Sequence, residues 1–413
     1  MQNLDFNNVF PSSQWDYIHK ISAILPEIYG ESPKATVITF GCQQNVSDSE
    51  KLKGMLWASG YTITEDINEA DFIIYNTCAV RGHAEDRVYG NIGEVKALKK
   101  AKPRLIAAIC GCMAQQQSVA EKIKKSYPYM DIVFGTQMFH RLPEFIYKRL
   151  NGGKRIFELS LPNEQIVEEI PIKRDRVATG WLPIMYGCNN FCTYCIVPYV
   201  RGRERSRDPE KIIAEAKDMI RDGCKEITLL GQNVNSYGKG EQHGINFAKL
   251  LRQLNDLEGD FEIKFMTSHP KDCSIELLDT IAQCKKVSRH LHLPFQSGSS
   301  RILKLMNRYY DREQYLELIK EAKKRIPDVQ LTSDVIVGFP GETYEDFKET
   351  LSLVKEVEFN SLFTFIYSPR AGTPAEKMPD PISREEKGKW FQELLDLQEN
   401  IQNKKRGIKN GRN

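Results

Sequence analysis

Three cysteines in one short segment have a spacing that suits an iron–sulfur cluster. Cys188, Cys192 and Cys195 follow the pattern C-x3-C-x2-C. Three thiolates can hold three irons of a four-iron cubane and leave the fourth iron without a protein ligand, so that a small molecule can bind there and be activated. Zinc usually takes four ligands in paired clusters, and no second pair follows at zinc-finger spacing. The spacing therefore predicts a four-iron cluster with one open iron, with ordinary buried cysteines as the alternative.

A second set of three cysteines is predicted from the order of the secondary structure. Cys42, Cys78 and Cys112 each follow a strand-like apolar run and precede a segment of helical character. The carboxyl ends of parallel strands meet at one edge of a sheet, and helix N-termini favour thiolate. We expect these cysteines to share a second cluster, with three unrelated structural cysteines as the alternative. Cys110 is expected to lie within its strand.

Strand-like segments that alternate with helical ones predict an α/β fold with two domains. We expect a parallel, doubly wound N-terminal domain with strands at 35–40, 72–75, 104–109 and 132–134. A capping box at Ser47 and Glu50 is expected to open its first helix, and Gly60 is expected to end it.

Six further strands with intervening helices predict a (β/α)6 partial barrel whose active site lies at the carboxyl ends of its strands. These strands are expected at 181–186, 226–230, 261–266, 290–293, 330–337 and 362–367. Five segments follow: an extension that packs loosely or as a helix (1–34), the first domain (35–150), a linker (151–178), the barrel (179–380), and a C-terminal helix with a basic tail (381–413).

Composition narrows the class of protein. The chain has 413 residues, ten cysteines and a formal net charge of +3, which is too small to indicate a partner by itself. No apolar run suits a membrane span, and the polar N-terminus does not resemble a signal peptide. We therefore expect a cytoplasmic protein whose cysteines serve metal binding or catalysis rather than disulfides.

Polar side chains at the predicted mouth of the barrel suggest a site for a small polar cofactor. The candidates are Gln232, Ser268, Gln296 and Asp334. His290 and His292 alternate on a strand and are expected to pack or hydrogen-bond there rather than bind zinc.

Basic side chains follow the cysteine loop closely in sequence. They are expected to contact RNA phosphates, with a solvated surface as the alternative. The residues concerned are Arg201, Arg203, Arg205 and Arg207.

Longer segments strengthen this interpretation, because the chain from about residue 35 to 400 resembles the methylthiotransferases, a radical S-adenosylmethionine (SAM) family. The segments at 231–237, 267–272 and 292–298 are similar to the branch that modifies isopentenylated adenosine in tRNA. Family members carry two [4Fe-4S] clusters. The resemblance implies that Cys188, Cys192 and Cys195 hold the cluster that cleaves SAM to a 5′-deoxyadenosyl radical, which removes hydrogen from C2 of the adenine.

The resemblance also implies roles for the other partners. Cys42, Cys78 and Cys112 would hold an auxiliary cluster that carries the sulfur, and a second SAM would supply the methyl group. A tRNA carrying isopentenyladenosine, a reductant protein and a sulfur donor are the expected partners of a monomer. Family members usually continue into a small RNA-binding β-barrel, whereas this sequence stops soon after the helical stretch at 384–403. We therefore expect that either the sequence is truncated or the basic tail compensates for the missing domain in binding tRNA.

Other functions remain open at this stage. The same chemistry could act on threonylcarbamoyladenosine in tRNA or on a ribosomal protein. An iron–sulfur carrier would consume no SAM, and a zinc-dependent RNA-binding module would contain zinc instead of iron.

Overall fold

A computed structural model of the chain describes residues 9–30, 33–79, 82–159, 166–241 and 244–407, without the side chains of residues 82–86. The chain forms two compact units. The first comprises Met1–Val177 and Tyr199–Arg205, and the second comprises Ala178–Pro198 and Ser206–Asn413. A short segment that follows the Cys188–Cys195 loop in sequence therefore belongs to the first unit.

The first unit is a parallel sheet with helices on both faces. Its strands lie in the order β2-β1-β3-β4-β5-β6, and each neighbouring pair is parallel. The elements in chain order are α1 (Ser12–Tyr29), β1 (Lys34–Phe40), α2 (Gln43–Ala58), β2 (Thr62–Ile63), β3 (Phe72–Thr77), α3 (Gly82–Ala101), β4 (Ile106–Gly111), α4 (Gln117–Ser126), β5 (Ile132–Phe134), α5 (Leu142–Leu150) and β6 (Ile156–Glu158).

The central strands of this sheet are buried on both faces, as their continuous apolar runs predict. Phe72 and Ile74 of β3 pack with residues of α1, α2 and α5, whereas Ile73 and Tyr75 pack with residues of α3 and α4. Successive side chains of a strand point to opposite faces, so β3 joins two cores. The doubly wound fold class is confirmed.

Of the two alternatives for the N-terminal extension, the helix is confirmed, because Ile18 and Leu25 of α1 are buried in the core. Two other details of the first unit differ from the sequence-based expectations. Part of the expected linker is strand β6, which pairs with β5. The expected capping box at Ser47 is wrong, since α2 already begins at Gln43, where the Asn45 side chain accepts a hydrogen bond from the Cys42 backbone N. Gly60 follows the end of α2 with a positive φ of 99°, as expected of a helix stop.

The second unit is an open barrel of parallel strands. Within the described residues its wall consists of two three-stranded sheets, β7-β10-β11 and β12-β13-β14, and confirms the predicted partial barrel. The elements from residue 178 onwards are β7 (Thr179–Pro183), β8 (Met185–Tyr186), α6 (Val197–Arg201), β9 (Arg205–Ser206), α7 (Pro209–Arg221), β10 (Glu226–Leu230), α8 (Phe247–Asn255), β11 (Glu262–Phe265), α9 (Ile275–Gln283), β12 (His290–His292), α10 (Ser300–Leu305), α11 (Arg312–Arg325), β13 (Gln330–Val337), α12 (Tyr344–Val357), β14 (Ser361–Ile366) and α13 (Arg384–Lys405).

The ends of this unit also correct the expectations. The strand expected at 181–186 is broken at Ile184, whose N donates to Leu230 O at 2.8 Å. The expected boundary at residue 381 cuts through one core, because Trp390 and Leu394 of α13 are buried with the barrel residues. Gln398 of α13 also donates to Phe359 O at 3.0 Å. Among the described residues, no helix is long and apolar enough to cross a bilayer.

Two candidate iron–sulfur sites

The first cysteine triad lies at the carboxyl edge of the first unit's sheet. Cys42, Cys78 and Cys112 follow β1, β3 and β4, which are neighbours in that sheet. Cys112 N donates to Thr77 O at 2.8 Å, which holds the last two loops together. A hydrogen bond with Cys78 and the nearby positive charge of Arg201 outweigh burial and lower the pKa of Cys42 to about 5. The structure therefore places the three cysteines at the ends of neighbouring strands along one sheet edge, and the lowered pKa of Cys42 favours its thiolate.

Side-chain amides hold the loops of this triad in register. Asn45 of α2 donates to Asn76 Oδ1 and Thr77 O at 3.2 and 3.3 Å. Asn76 in turn donates to Asn45 O at 2.9 Å and to Ser49 Oγ at 3.0 Å. All four residues are buried. A buried polar network of this kind fixes one arrangement, because each broken bond leaves an unsatisfied group.

A buried arginine completes the surroundings of the first triad. Arg201 Nε donates to Cys112 Sγ at 3.2 Å, and Arg201 Nη2 forms an ion pair with Asp48 at 2.8 Å. Burial alone would lower the pKa of Arg201, but Cys112, Asp48 and Cys42 raise it above its usual range. The guanidinium therefore stays charged beside the thiols.

The second triad lies in one loop of the second unit. Cys188 and Cys192 are buried and Cys195 is half-buried. Asn307 donates to the backbone oxygens of Asn190 and Phe191 at 3.2 and 3.0 Å, and so holds the loop from the end of α10. Burial and the nearby Cys192 raise the pKa of Cys195 to about 12. Metal binding would have to deprotonate this thiol, because the thiolate is the metal ligand.

An arginine also stands beside the second triad. Arg308 is buried, and its Nη1 donates to Cys192 Sγ at 3.5 Å. Its other groups donate to Tyr310 Oη at 3.2 Å and to Pro294 O at 2.7 Å. Among the described residues, no carboxylate forms an ion pair with Arg308.

Each donor set offers the three thiols that a cubane cluster with one open iron takes from a protein. Within the described part of the chain, no three His, Cys, Asp or Glu side chains are grouped to hold one metal ion. A cubane does not require such a group, because its cysteines bind separate irons. Cys110 lies inside β4, as expected, and burial raises its pKa well above the usual range. Cys110 packs in the hydrophobic core of the first unit and is therefore a structural cysteine.

The four residues predicted to contact a polar cofactor have different surroundings. Gln232 accepts a hydrogen bond from Gly187 N at 2.5 Å and so holds the cysteine loop. Asp334 lies 3.5 Å from His292 Nε2, and Gln296 adopts a positive φ of 68° at the carboxyl edge of β12. Ser268 is buried, and its Oγ has no hydrogen-bond partner among the described residues. Of these four, Ser268 offers an unused polar atom to a ligand.

A residue that the sequence analysis did not single out lies near Ser268. Asn235 is buried, and neither its Nδ2 nor its Oδ1 has a partner among the described residues. Its loop is joined to that of Ser268, because Val234 N donates to Thr267 O at 3.1 Å and His269 N donates to Asn233 Oδ1 at 3.0 Å. Unsatisfied buried polar groups are costly, so this pair fits a polar ligand.

Two of the four arginines predicted to contact RNA do not fit that prediction. Arg201 is 5% exposed and serves the first triad. Arg207 is 4% exposed, donates to Pro183 O at 2.6 Å and forms an ion pair with Glu215 at 2.9 Å. Arg203 is exposed and Arg205 is half-buried. A period of two would place all four arginines on one face, so local pattern does not separate buried Arg201 and Arg207 from exposed Arg203.

Comparisons with known proteins agree with this architecture. Residues 182–354 match the model of the radical SAM superfamily, and residues 34–135 match the model described as uncharacterized protein family UPF0004. The structure is similar to that of the radical SAM methyltransferase TsrM from Kitasatospora setae, with a TM-score of 0.60, 12% identity, and coverage of 84% of this chain and 74% of that chain. It is also similar to the cobalamin-dependent radical SAM enzyme OxsB, with a TM-score of 0.55, 14% identity, and coverage of 90% and 56%. At these identities the likeness concerns the fold alone.

Sequence relatives are much more similar. The tRNA-2-methylthio-N(6)-dimethylallyladenosine synthase of Caldicellulosiruptor saccharolyticus is 51% identical over 98% of this chain and 87% of its own length. The protein of the same name from Clostridium perfringens is 54% identical over 91% of this chain and 83% of its own length. The chain belongs to the family of tRNA-2-methylthio-N(6)-dimethylallyladenosine synthases, within the radical SAM superfamily, which uses SAM and a [4Fe-4S] cluster.

Proposed function

We propose that this chain is a transferase that adds a methylthio group to C2 of N6-isopentenyladenosine in tRNA, at the adenosine next to the anticodon. The product is 2-methylthio-N6-isopentenyladenosine. The observation that supports this most directly is the pair of cysteine triads in a chain that is 51% identical to a synthase named for this product. A position as inert as C2 of adenine requires a radical rather than acid–base chemistry.

Each triad would hold one [4Fe-4S] cluster. Cys188, Cys192 and Cys195 in the barrel domain (179–380) would bind the cluster whose open iron takes SAM. Cys42, Cys78 and Cys112 in the first domain (35–150) would bind the auxiliary cluster. When bound, the barrel cluster would supply the electron that cleaves SAM to a 5′-deoxyadenosyl radical, the auxiliary cluster would supply the sulfur, and a second SAM would supply the methyl group.

The chain's own residues would orient these groups and exclude water. Arg308 donates to Cys192 and would keep a positive charge beside the cluster of the second triad. Ser268 and Asn235 would take the polar groups of SAM, since their side-chain atoms are buried without partners among the described residues. Gln296 and Asp334 remain candidates for the same ligand, whereas Gln232 acts on it through Gly187.

Other partners follow from the chemistry. A reductant protein must deliver the electron that cleaves SAM, and a sulfur donor must reload the auxiliary cluster. Exposed Arg203 and half-buried Arg205 would contact tRNA phosphates. We expect the chain to act as a monomer, in the cytoplasm, where tRNA is modified.

Nucleoside analysis tests this function. The anaerobically reconstituted chain is incubated with SAM, a strong reductant and tRNA that bears isopentenyladenosine, and the digested nucleosides are followed by mass spectrometry. We expect the 2-methylthio product together with 5′-deoxyadenosine. A parallel reaction uses tRNA that bears threonylcarbamoyladenosine, and a product only in that reaction would reassign the substrate. The absence of 5′-deoxyadenosine in both would contradict the radical mechanism.

A further inference from the structure

We propose that Arg201 is a positioning residue of the auxiliary cluster: its guanidinium, oriented by Asp48, donates a hydrogen bond to the Cys112 sulfur and thereby raises the reduction potential of that cluster. This inference rests on the proposed role of Cys42, Cys78 and Cys112 as cluster ligands. It assigns a function to an arginine whose sequence position suggested contact with RNA.

The geometry leaves Arg201 little freedom. Its side chain is 6% exposed and that of Asp48 is 3% exposed. Asp48 Oδ2 accepts from Arg201 Nη2 at 2.8 Å, while Asp48 Oδ1 accepts from Gln44 Nε2 at 3.2 Å. Both carboxylate oxygens of Asp48 therefore accept hydrogen bonds, and Arg201 Nε is directed to Cys112 Sγ at 3.2 Å.

The segment that carries Arg201 is anchored independently of the thiols. Thr136 Oγ1 donates to Val200 O at 2.7 Å, and Gln137 Nε2 donates to Arg201 O at 3.5 Å. Gly202, the next residue, has a φ of 81°, a backbone conformation that suits glycine. The backbone is thus fixed before any cluster is bound.

Burying a guanidinium costs free energy unless its charge is compensated and its N–H groups have acceptors. Asp48 compensates the charge of Arg201. An arginine held only for stability could direct its remaining donors to backbone carbonyls, as Arg207 does with Pro183 O. Arg201 instead directs Nε–H to a thiol sulfur. Hydrogen bonds to the ligand sulfurs and the net charge around a cluster are among the factors that set its reduction potential.

The signs of the expected effects follow from charge. Reduction adds an electron to a cluster that is already surrounded by thiolates, so a nearby positive charge and an N–H donor favour the reduced state. The carboxylate of Asp48 offsets part of that effect. Removing Arg201 should therefore lower the potential, and removing the charge of Asp48 should raise it.

The experiment uses the full chain with Cys188, Cys192 and Cys195 all replaced by alanine, so that the auxiliary cluster is the one that remains. In this parent, iron content and the electron paramagnetic resonance spectrum of the reduced cluster are measured first, followed by redox titration. Arg201→Gln, Arg201→Lys, Asp48→Asn and the exposed control Arg203→Gln are then compared with it. Asparagine at position 48 keeps an oxygen that can accept from Arg201.

We expect Arg201→Gln to lower the midpoint potential, Arg201→Lys to lower it less, Asp48→Asn to raise it and Arg203→Gln to leave it unchanged. Shifts of one sign for both Arg201→Gln and Asp48→Asn, or no shift in either, would overturn the inference. Equal loss of iron in both variants would show a purely structural role and would also overturn it. A parent chain that binds no cluster would refute the auxiliary site of the proposed function, on which the inference depends.

Discussion

Cys42, Cys78 and Cys112 come from three strand ends, whereas Cys188, Cys192 and Cys195 share one loop. The first set is held by buried side-chain amides, chiefly those of Asn45 and Asn76. The second is held mainly through its own backbone, which accepts hydrogen bonds from Asn307 and donates one to Gln232. The first site therefore depends on the correct folding of a whole sheet edge, and the second on the conformation of one segment.

The arginines beside the two triads also differ in their partners. Arg201 is paired with Asp48, whose carboxylate offsets part of the positive charge beside the first triad. Arg308 has neutral oxygen partners and the Cys192 sulfur. The two triads therefore differ in that a carboxylate partner is described for the arginine beside the first and none for the arginine beside the second.

The largest expected effect separates the two triads by function. Cys192→Ala should abolish SAM cleavage, because the loop then has two ligands left. Cys78→Ala should spare cleavage and abolish the methylthio product. Chromatography of 5′-deoxyadenosine and mass spectrometry of the nucleosides measure both, with Cys284→Ala as a control cysteine outside the triads. If the Cys78 variant still formed the methylthio product, the division of labour between the two sites would be wrong.

A glycine at the first triad tests its dependence on the sheet edge. Gly111 has a φ of 97°, and a Cβ there would lie 2.3 Å from Thr77 O. Gly111→Ala should destabilise the apo chain by about 3 to 4 kcal/mol, from left-handed strain together with overpacking. Chemical denaturation measures this effect.

The matched control for this change is Gly152→Ala. Gly152 also has a positive φ, of 76°, but a Cβ there would meet nothing within 4 Å. We expect a loss of about 1 kcal/mol from strain alone. Equal losses for the two variants would mean that packing against Thr77 does not matter.

The stability of the second unit should depend on pH through Glu342. Its Oε2 accepts a hydrogen bond from Phe339 N at 3.2 Å. Burial raises the pKa of Glu342 to about 7 from its ordinary 4.5. The folded chain then keeps a proton that the unfolded chain loses, so stability should fall as pH rises from 4.5 to 7 and stay level above. The loss is about 3 kcal/mol.

Glu342→Gln isolates that contribution, because it keeps an oxygen acceptor but cannot ionise. The difference in unfolding free energy between this variant and the parent, measured at pH 5 and pH 8, should change by most of that amount. A difference that does not depend on pH would show that Glu342 is ionised throughout the folded state.

The smallest expected effect concerns the loop of the second triad. Asn307 has a φ of 57°, so Asn307→Gly keeps the backbone conformation but removes two donors. We expect a cost of about 2 kcal/mol and several-fold slower SAM cleavage, with the iron of the first triad unchanged. Asn45→Ala should instead lower the iron content of the first triad and leave the rate of SAM cleavage unchanged. Iron analysis and the 5′-deoxyadenosine assay compare the two variants. Identical effects of the two changes would remove the distinction between the sites.

Local pattern determined much of this protein. The spacing of Cys188, Cys192 and Cys195 is a property of one short segment. The apolar pattern that predicts a strand likewise lies within a few consecutive residues. The strands at 132–134, 226–230 and 330–337 therefore appear where the sequence predicts them. The convergence of Cys42, Cys78 and Cys112 could also be predicted, because parallel strands share one carboxyl edge.

Tertiary structure decided the partners of the buried charges. Cys112 and Arg201 are 89 residues apart, and Cys192 and Arg308 are 116 apart, so no local pattern pairs them. Arg201 and Arg203 are of one residue type in one segment, yet the first is buried against a thiol and the second is exposed. Which role an arginine takes depends on the groups that packing brings to it, since a guanidinium can be buried only where acceptors meet its donors.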